Sequence, residues 1–271
     1  MARVAPGFDA TGLREVDGGW DNRVFRLGED HAVRVPRRPE AERLILHELR
    51  WLPELAPMLP VRVPEPVSGF PPSEAIPVPW AIVSWCPGLA LDREGSRIGH
   101  DRATVLAAAL RALRRPAAPD APANPYRGVP LQERDARARA ALAGLPAGRR
   151  QHLARRWEQA LAADGWTGPA TWIHGDLHPG NLVVSGADLT AIIDWGDLAA
   201  GDPATDLSVA WTACDADGRG VLRDVIRPTE AEWTRAMGNA LAHGLACIGS
   251  HHGDDRVRAI GEATLREVEG Q

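Results

Sequence analysis

The chain has 271 residues, 44% of them hydrophobic and 25% charged, the balance of a soluble globular protein with room for one large domain or two lobes sharing a cleft. A formal net charge of −5 gives no overall attraction for nucleic acid or anionic lipid, so neither is expected as a partner. Met1–Ala10 lacks the apolar core of a secretion signal and no later run approaches the ~20 apolar residues that cross a bilayer, so a cytoplasmic protein is expected.

Cys86, Cys214 and Cys247 are widely scattered, match no zinc or redox spacing, and read as reduced thiols. All 31 basic residues are arginine. Any fixed cation that meets a phosphate is therefore a guanidinium or an imidazolium, and the forked donors of Arg suit bidentate contacts to oxyanions.

In chain order, the first 85 residues read as strands around one helix. Arg23 to Leu27 and His31 to Val35 are β-prone and joined by the turn Gly28-Glu29-Asp30. Val33 and Val35 share a face, so Arg34 points the other way, toward solvent or a cleft. Pro39 to Leu55 has helical periodicity, with Leu44, Leu49, Leu52 and Leu55 in an apolar stripe and Glu48 beside it. Val61 to Pro79 is proline-rich and reads as irregular, and Trp80 to Trp85 is an apolar strand closed by Cys86-Pro87-Gly88. Helices then dominate: Ala103 to Arg115, Leu131 to Leu142, Gly148 to Ala163, Asp202 to Ala213, Thr229 to Ile248 and Asp254 to Val268. Thr229 and Glu232 hold capping-box positions, and Pro116 to Pro130 reads as a loop, mobile or covering a cleft. The expected architecture is α+β, with a small β-rich lobe (1–85) followed by a larger helical lobe (86–271).

The densest group of unusual residues is Thr171-Trp-Ile-His-Gly-Asp-Leu-His-Pro-Gly-Asn-Leu-Val-Val184, followed by Leu189-Thr-Ala-Ile-Ile-Asp-Trp-Gly-Asp197. Leu182 to Val184 and Leu189 to Ile193 form a hairpin around Ser185-Gly186-Ala187-Asp188. With the turn centred between Ala187 and Asp188, Asn181 and Asp194 fall opposite each other. An amide and a carboxylate oxygen then face one ion, a pair suited to hard Mg2+. Asp176 precedes Asn181 in a loop made compact by Gly175 and Pro179, placed to accept a hydrogen bond from an incoming hydroxyl.

These motifs resemble the aminoglycoside phosphotransferase family and related small-molecule kinases, which share the two-lobed protein-kinase-like fold. The resemblance implies ATP or GTP as phosphate donor, Mg2+ as cofactor and a small-molecule hydroxyl as acceptor. By it Asp176 stands at the catalytic-base position, Asn181 and Asp194 at the metal-ligand positions, and His174 at the head of the catalytic loop. His178 and Asp197 match recurrent neighbouring positions, and Asp206 in Asp202-Pro-Ala-Thr-Asp206-Leu207 matches a structural support. Gly18-Gly19-Trp20-Asp21-Asn22 resembles the loop over the nucleotide phosphates, which implicates Gly19 and Asn22. Arg34 stands where a phosphate-pairing lysine is expected, with Glu48 as its partner, and Ser84, Trp85 and Cys86 would border the base through backbone groups.

Family members act on antibiotics and on metabolites. Asp215, Asp217, Glu230, Glu232, Asp254 and Asp255 suit an amine-bearing acceptor or an ordinary surface, and Trp211 and Trp233 suit an apolar pocket or a core. Two rival readings use the same residues. One is a metal-dependent hydrolase with His174, His178 and Asp194 as ligands; the other is a nucleotide-binding scaffold with degraded catalysis, motivated by Arg34.

Overall fold

The computed structural model describes residues 12–16, 19, 21–250 and 255–270. The amino-terminal sheet contains β1 (Arg14–Val16), β2 (Asn22–Leu27) and β3 (His31–Pro36). After helix α1 (Pro39–Leu55) it is completed by β4 (Pro66–Phe70) and β5 (Trp80–Ser84), in the antiparallel order β1-β2-β3-β5-β4.

Alternation along β3 explains both faces of this sheet. Val33 packs with Leu27, Trp80 and Ile82 on one side, while Ala32 joins Ala81, Val83 and Ile45 of α1 on the other. Arg34 shares the Ala32 face and is therefore aimed at α1. Helix α1 starts on Pro39 with Glu40 and Glu42 in its first turn, a favourable match to the helix dipole. Its buried stripe of Ala41, Leu44, Ile45, Glu48, Trp51, Leu52 and Leu55 follows helical spacing. The last three of these enter the core of the helical lobe, and the Trp51 ring lies 5.1 Å from that of Trp172.

The stretch from Val61 to Pro79, expected to be irregular, contains β4. Prolines are tolerated there because β4 is an edge strand that shifts register between Pro66 and Ser68, and Phe70 stacks on Trp80. Arg62 also bridges to Ala191, so this segment ties the small lobe to the large one.

The rest of the chain forms β6 (Leu89–Ala90), α2 (Leu91–Glu94), α3 (His100–Leu113), α4 (Asp135–Ala143), α5 (Ala147–Ala162), β7 (Thr171–Ile173), β8 (Leu182–Ser185), β9 (Asp188–Ile192) and β10 (Ala199–Gly201). It ends in α6 (Ala204–Leu207), α7 (Val209–Thr212), α8 (Ala216–Ile226), α9 (Glu230–Ile248) and α10 (Asp255–Glu269). Two small sheets, β6-β8-β9 and β10-β7, support the loops of interest.

The helix expected over Asp202 to Ala213 is two short helices, broken where Ser208 Oγ bonds the Thr205 carbonyl. Helix α8 was not foreseen; Asp215 caps it by accepting the Gly218 N–H. Thr229 caps α9 as expected, accepting the Glu232 N–H at 3.1 Å. The Glu232 carboxylate does not complete the capping box but pairs with Arg114.

Residues 116–130 form an ordered strap without helix or strand. Ala200 N–H donates to Pro122 O, Asp202 N–H to Gly128 O, and Gly128 N–H to Thr205 Oγ1. Gly128 has φ +70°, and a Cβ there would lie 2.8 Å from the Gly201 Cα, so only glycine permits this approach. Among the described residues no helix is long and apolar enough to cross a membrane.

Candidate active site

The loop between β7 and β8 is suspended from one buried carboxylate. Asp206, 4% exposed, accepts the N–H groups of His174 (2.7 Å) and Gly175 (2.8 Å). Gly175 has φ +87°, and a Cβ on it would lie 2.6 Å from Asp197 O; the glycine is required by conformation and by space. The His174 ring is fully buried, with Nδ1 accepting the Asp176 N–H (3.2 Å) and Nε2 beside Ile193 O (3.0 Å). A carbonyl only accepts, so Nε2 carries the proton. Both nitrogens are thus committed, and His174 orients the loop.

The hairpin differs from expectation by one residue. The turn centres on Gly186 and Ala187, pairing Ser185 with Asp188, and a bulge near Thr190 shifts the register so that Leu182 faces Ile192. Asn181 O consequently receives the Ile193 N–H at 3.0 Å. Asn181 lies across from Ile193, one residue short of Asp194. Asp194 adopts the left-handed conformation (φ 62°, ψ 67°), which re-aims a side chain that would otherwise continue the strand alternation.

Arg34 meets two carboxylates at once. One arm of the guanidinium pairs with Glu48 and the other reaches Asp194 Oδ1 at 3.0 Å. The Arg34 and Glu48 side chains are only 7% and 3% exposed. Burial pushes Glu48 up to about 7, ahead of the opposing pull of Arg34. Two carboxylates on separate arms is a geometry for the Arg fork and not for the point charge of a lysine.

Gly19 lies over the same group: a Cβ there would be 3.5 Å from Asp194 Oδ2. Gly18 and Trp20 fall outside the described residues. Asn22, expected in the loop, begins β2 with its side chain buried. Near the hinge, the Ser84 N–H donates to Glu65 O and the Trp85 N–H to Asp30 O. Those two donors are therefore occupied within the small lobe, so a base bordered by this segment would meet its other backbone groups. Cys86 packs on Val183 and Ala191 of the hairpin.

Around Asp176 the sequence reading missed the decisive neighbours. Arg127 of the strap donates to Asp176 Oδ1 and, from Nε, to Asp197 Oδ2 at 3.4 Å. Asn124 positions it, accepting the Tyr126 and Arg127 N–H groups on Oδ1 while its amide donates to Asp197 Oδ1 at 2.7 Å. His178 Nδ1 accepts the Gly180 N–H, leaving Nε2 3.5 Å from Asp176 Oδ2. Burial pushes Asp176 up, but Arg127 and then His178 outweigh it and hold the carboxyl well below its usual range. His178 shows the converse: burial opposes its charge, and Asp176 nonetheless raises its pKa. The Asn-Pro turn at Asn124 was a readable signal for the strap, whereas Arg127 was one arginine among 31.

The donor set at the hairpin fits a hard divalent ion. The Asn181 amide N–H donates to Asp176 O at 2.9 Å, which leaves Oδ1 as its free oxygen. Asp194 supplies a second oxygen centre, a third of its side chain exposed. Two oxygen groups with phosphates and water completing the shell is the usual provision for Mg2+. His174, with both ring nitrogens engaged, does not present the ligand that the transition-metal hydrolase reading asks of it.

The sequence model of the phosphotransferase enzyme family matches residues 12–238. The chain belongs to that family. Its fold agrees with that of aminoglycoside 2'-phosphotransferase-IIIa in complex with GDP (TM-score 0.73, 17% identity, 99% of this chain and 96% of that chain covered). It agrees also with the GDP and kanamycin complex of APH(2'')-IIIa (0.70, 20%, 99% and 96%). The apoenzyme of macrolide 2'-phosphotransferase MphH from Brachybacterium faecium is 26% identical (0.65, 97% and 95% covered). Comparison with curated protein sequences gives no match. The α+β, two-lobed kinase-like architecture expected from the sequence is therefore the observed one.

Several residues considered for acceptor recognition in this phosphotransferase have other work. Trp211 and Trp233 are buried against each other, ring centroids 4.7 Å apart, in the core. Glu232 pairs with Arg114, Glu230 with Arg223, and Asp215 caps α8. Asp254 lies outside the described residues.

Proposed function

We propose that this chain is a Mg2+-dependent small-molecule kinase that transfers the γ-phosphoryl group of ATP or GTP to an acceptor hydroxyl. The observation that carries the reading is the sharing of Arg34 between Glu48 and Asp194. It joins a strand cation of the small lobe to a hairpin carboxylate of the large lobe, beside the loop that presents Asp176.

Phosphoryl transfer has a loose transition state, so catalysis is chiefly positioning and charge stabilisation. Asn181 and Asp194 would hold the metal, which when bound supplies charge neutralisation for the phosphates. Arg34 has its second arm turned to the same place. The acceptor oxygen attacks the γ-phosphorus as the bond to the bridging oxygen breaks, and the nucleoside diphosphate leaves. Asp176 accepts the hydroxyl proton. Arg127 keeps Asp176 ionised and weakly basic, which suits a base whose main task is to aim the hydroxyl and take its proton late.

The test is a coupled ADP or GDP release assay with Mg2+ against aminoglycosides, macrolides, sugars and hydroxy acids. D176A is expected to lower kcat by ~10²–10⁴-fold with nucleotide affinity retained. D194A is expected to lose Mg2+-dependent nucleotide binding as well. Wild-type turnover by D176A would defeat the assignment, and nucleotide binding with no diphosphate release by the wild type would favour the scaffold reading.

A further inference from the structure

Beside Asp176 lies a shallow recess, open to solvent, lined by Arg127, Arg134, Asp176, Ser208, Asn239 and His243 among others. Its charges are unevenly paired. Arg127 is matched by Asp176 and by Asp197, the latter outside the lining and already bonded to Asn124.

Arg134 has no such match. Among the described residues its guanidinium makes one hydrogen bond, Nη1 to Asn239 Oδ1 at 3.1 Å, and no ion pair. Burial, reinforced by Arg127 and Arg137 and opposed by Asp176, lowers its pKa to about 10, so it remains charged at neutral pH. His243 contributes no compensating or opposing charge, since burial lowers it to about 3. One turn beyond Arg134, Arg137 lies over the exposed Tyr126 ring, 5.3 Å from its centroid. The recess thus has one guanidinium held by two carboxylates and a second, Arg134, with no ion pair among the described residues and with unused N–H donors.

A partly buried cation that makes no ion pair is costly, and a concave site with spare guanidinium donors is the arrangement that receives a planar oxyanion. The anion is not assigned to the nucleotide, because Arg34 and the hairpin oxygens are its provision. An amine-bearing acceptor would meet the two guanidiniums, while Glu230 and Glu232 are already engaged by arginines.

We propose that the acceptor is a hydroxy compound bearing a carboxylate or equivalent oxyanion, which docks on Arg134 with help from Arg127 and so turns its hydroxyl to Asp176. This rests on the phosphotransferase reading and adds the acceptor class.

Titration calorimetry on the full chain with glucuronate, glucose, glucosamine and inorganic sulfate tests it, in wild type, R134Q and R134K. Wild type is expected to bind glucuronate and sulfate, and glucose and glucosamine ~10-fold more weakly or less; R134Q should weaken both anions by ~10–100-fold, and R134K should recover part of the loss. Glucosamine binding as tight as glucuronate, unchanged sulfate affinity in R134Q, or no anion binding by the wild type would overturn the proposal. If R134Q does not fold, the wild-type comparison of glucuronate with glucosamine still decides. Mg2+-dependent hydrolysis of the nucleotide by the wild type, and its loss in D194A, reads the phosphotransfer centre separately. Hydrolysis without anion preference sinks the acceptor class alone, whereas its absence together with silence across the acceptor panel sinks both.

Discussion

Replacing Asp206 by Asn keeps the side-chain volume but turns one acceptor into an amide that confronts a backbone N–H. In the native loop both oxygens accept, at 2.7 and 2.8 Å, from His174 and Gly175. Losing one hydrogen bond to a charged acceptor costs about 1.5–3 kcal/mol, and stranding the buried N–H costs about 1–3 kcal/mol. Against this, the carboxylate carries a desolvation cost that Asn avoids, since burial raises the Asp206 pKa in spite of His174 and the two N–H donors. The net expectation for D206N is a loss of about 2–3 kcal/mol. With a urea slope near 3 kcal/mol/M for a chain of this size, the midpoint should fall by about 0.8 M, readable in the fluorescence of the ten tryptophans. Turnover should drop by at least ~10-fold with nucleotide affinity retained, because the displaced loop carries Asp176. A midpoint unchanged within about 0.1 M, or full turnover, would refute the claim that Asp206 holds the loop.

E48A should cost about 2–4 kcal/mol, less than the upper range for breaking a buried pair because Asp194 still faces Arg34; urea titration and nucleotide affinity should fall together. His178 has its folded-state pKa raised, so its pairing with Asp176 stabilises fully below the unfolded value of about 6.5 and is lost as pH rises through the folded value. The stability difference between wild type and H178Q, modest at about 0.5–1 kcal/mol since both side chains are about a fifth exposed, should therefore shrink as pH rises above about 6.5, read as converging Tm values.

Much of this arrangement was legible because punctuation and periodicity agree. Pro39 and Pro57 bracket a seventeen-residue apolar stripe, and α1 runs from Pro39 to Leu55. Strand alternation around Arg34 predicted its separation from Val33, while its pairing with Glu48, observed in the fold, was implied by the family resemblance alone. The hairpin was legible but its register was not, since nothing in Leu-Thr-Ala-Ile-Ile marks Thr190 as an extra residue. Strand β4 was hidden by prolines that only an edge accommodates, and α8 by Gly218 and Gly220, which dilute its helical signal. Arg127 and Arg134 act through tertiary position alone. No local pattern separates them from the arginines of solvated helix faces.

The back-to-back approach of Gly128 and Gly201 has a bearing on how this protein can change its chemistry. A methyl group on Gly201 would lie 2.5 Å from the Gly128 Cα, so neither position accepts a side chain without moving the strap, which carries Arg127 one residue away from Gly128. New acceptor preferences would accordingly be reached through substitutions upstream in the strap or on the facing helix, with the pair of glycines acting as a fixed hinge pin that keeps the guanidinium in register with the aspartate it restrains.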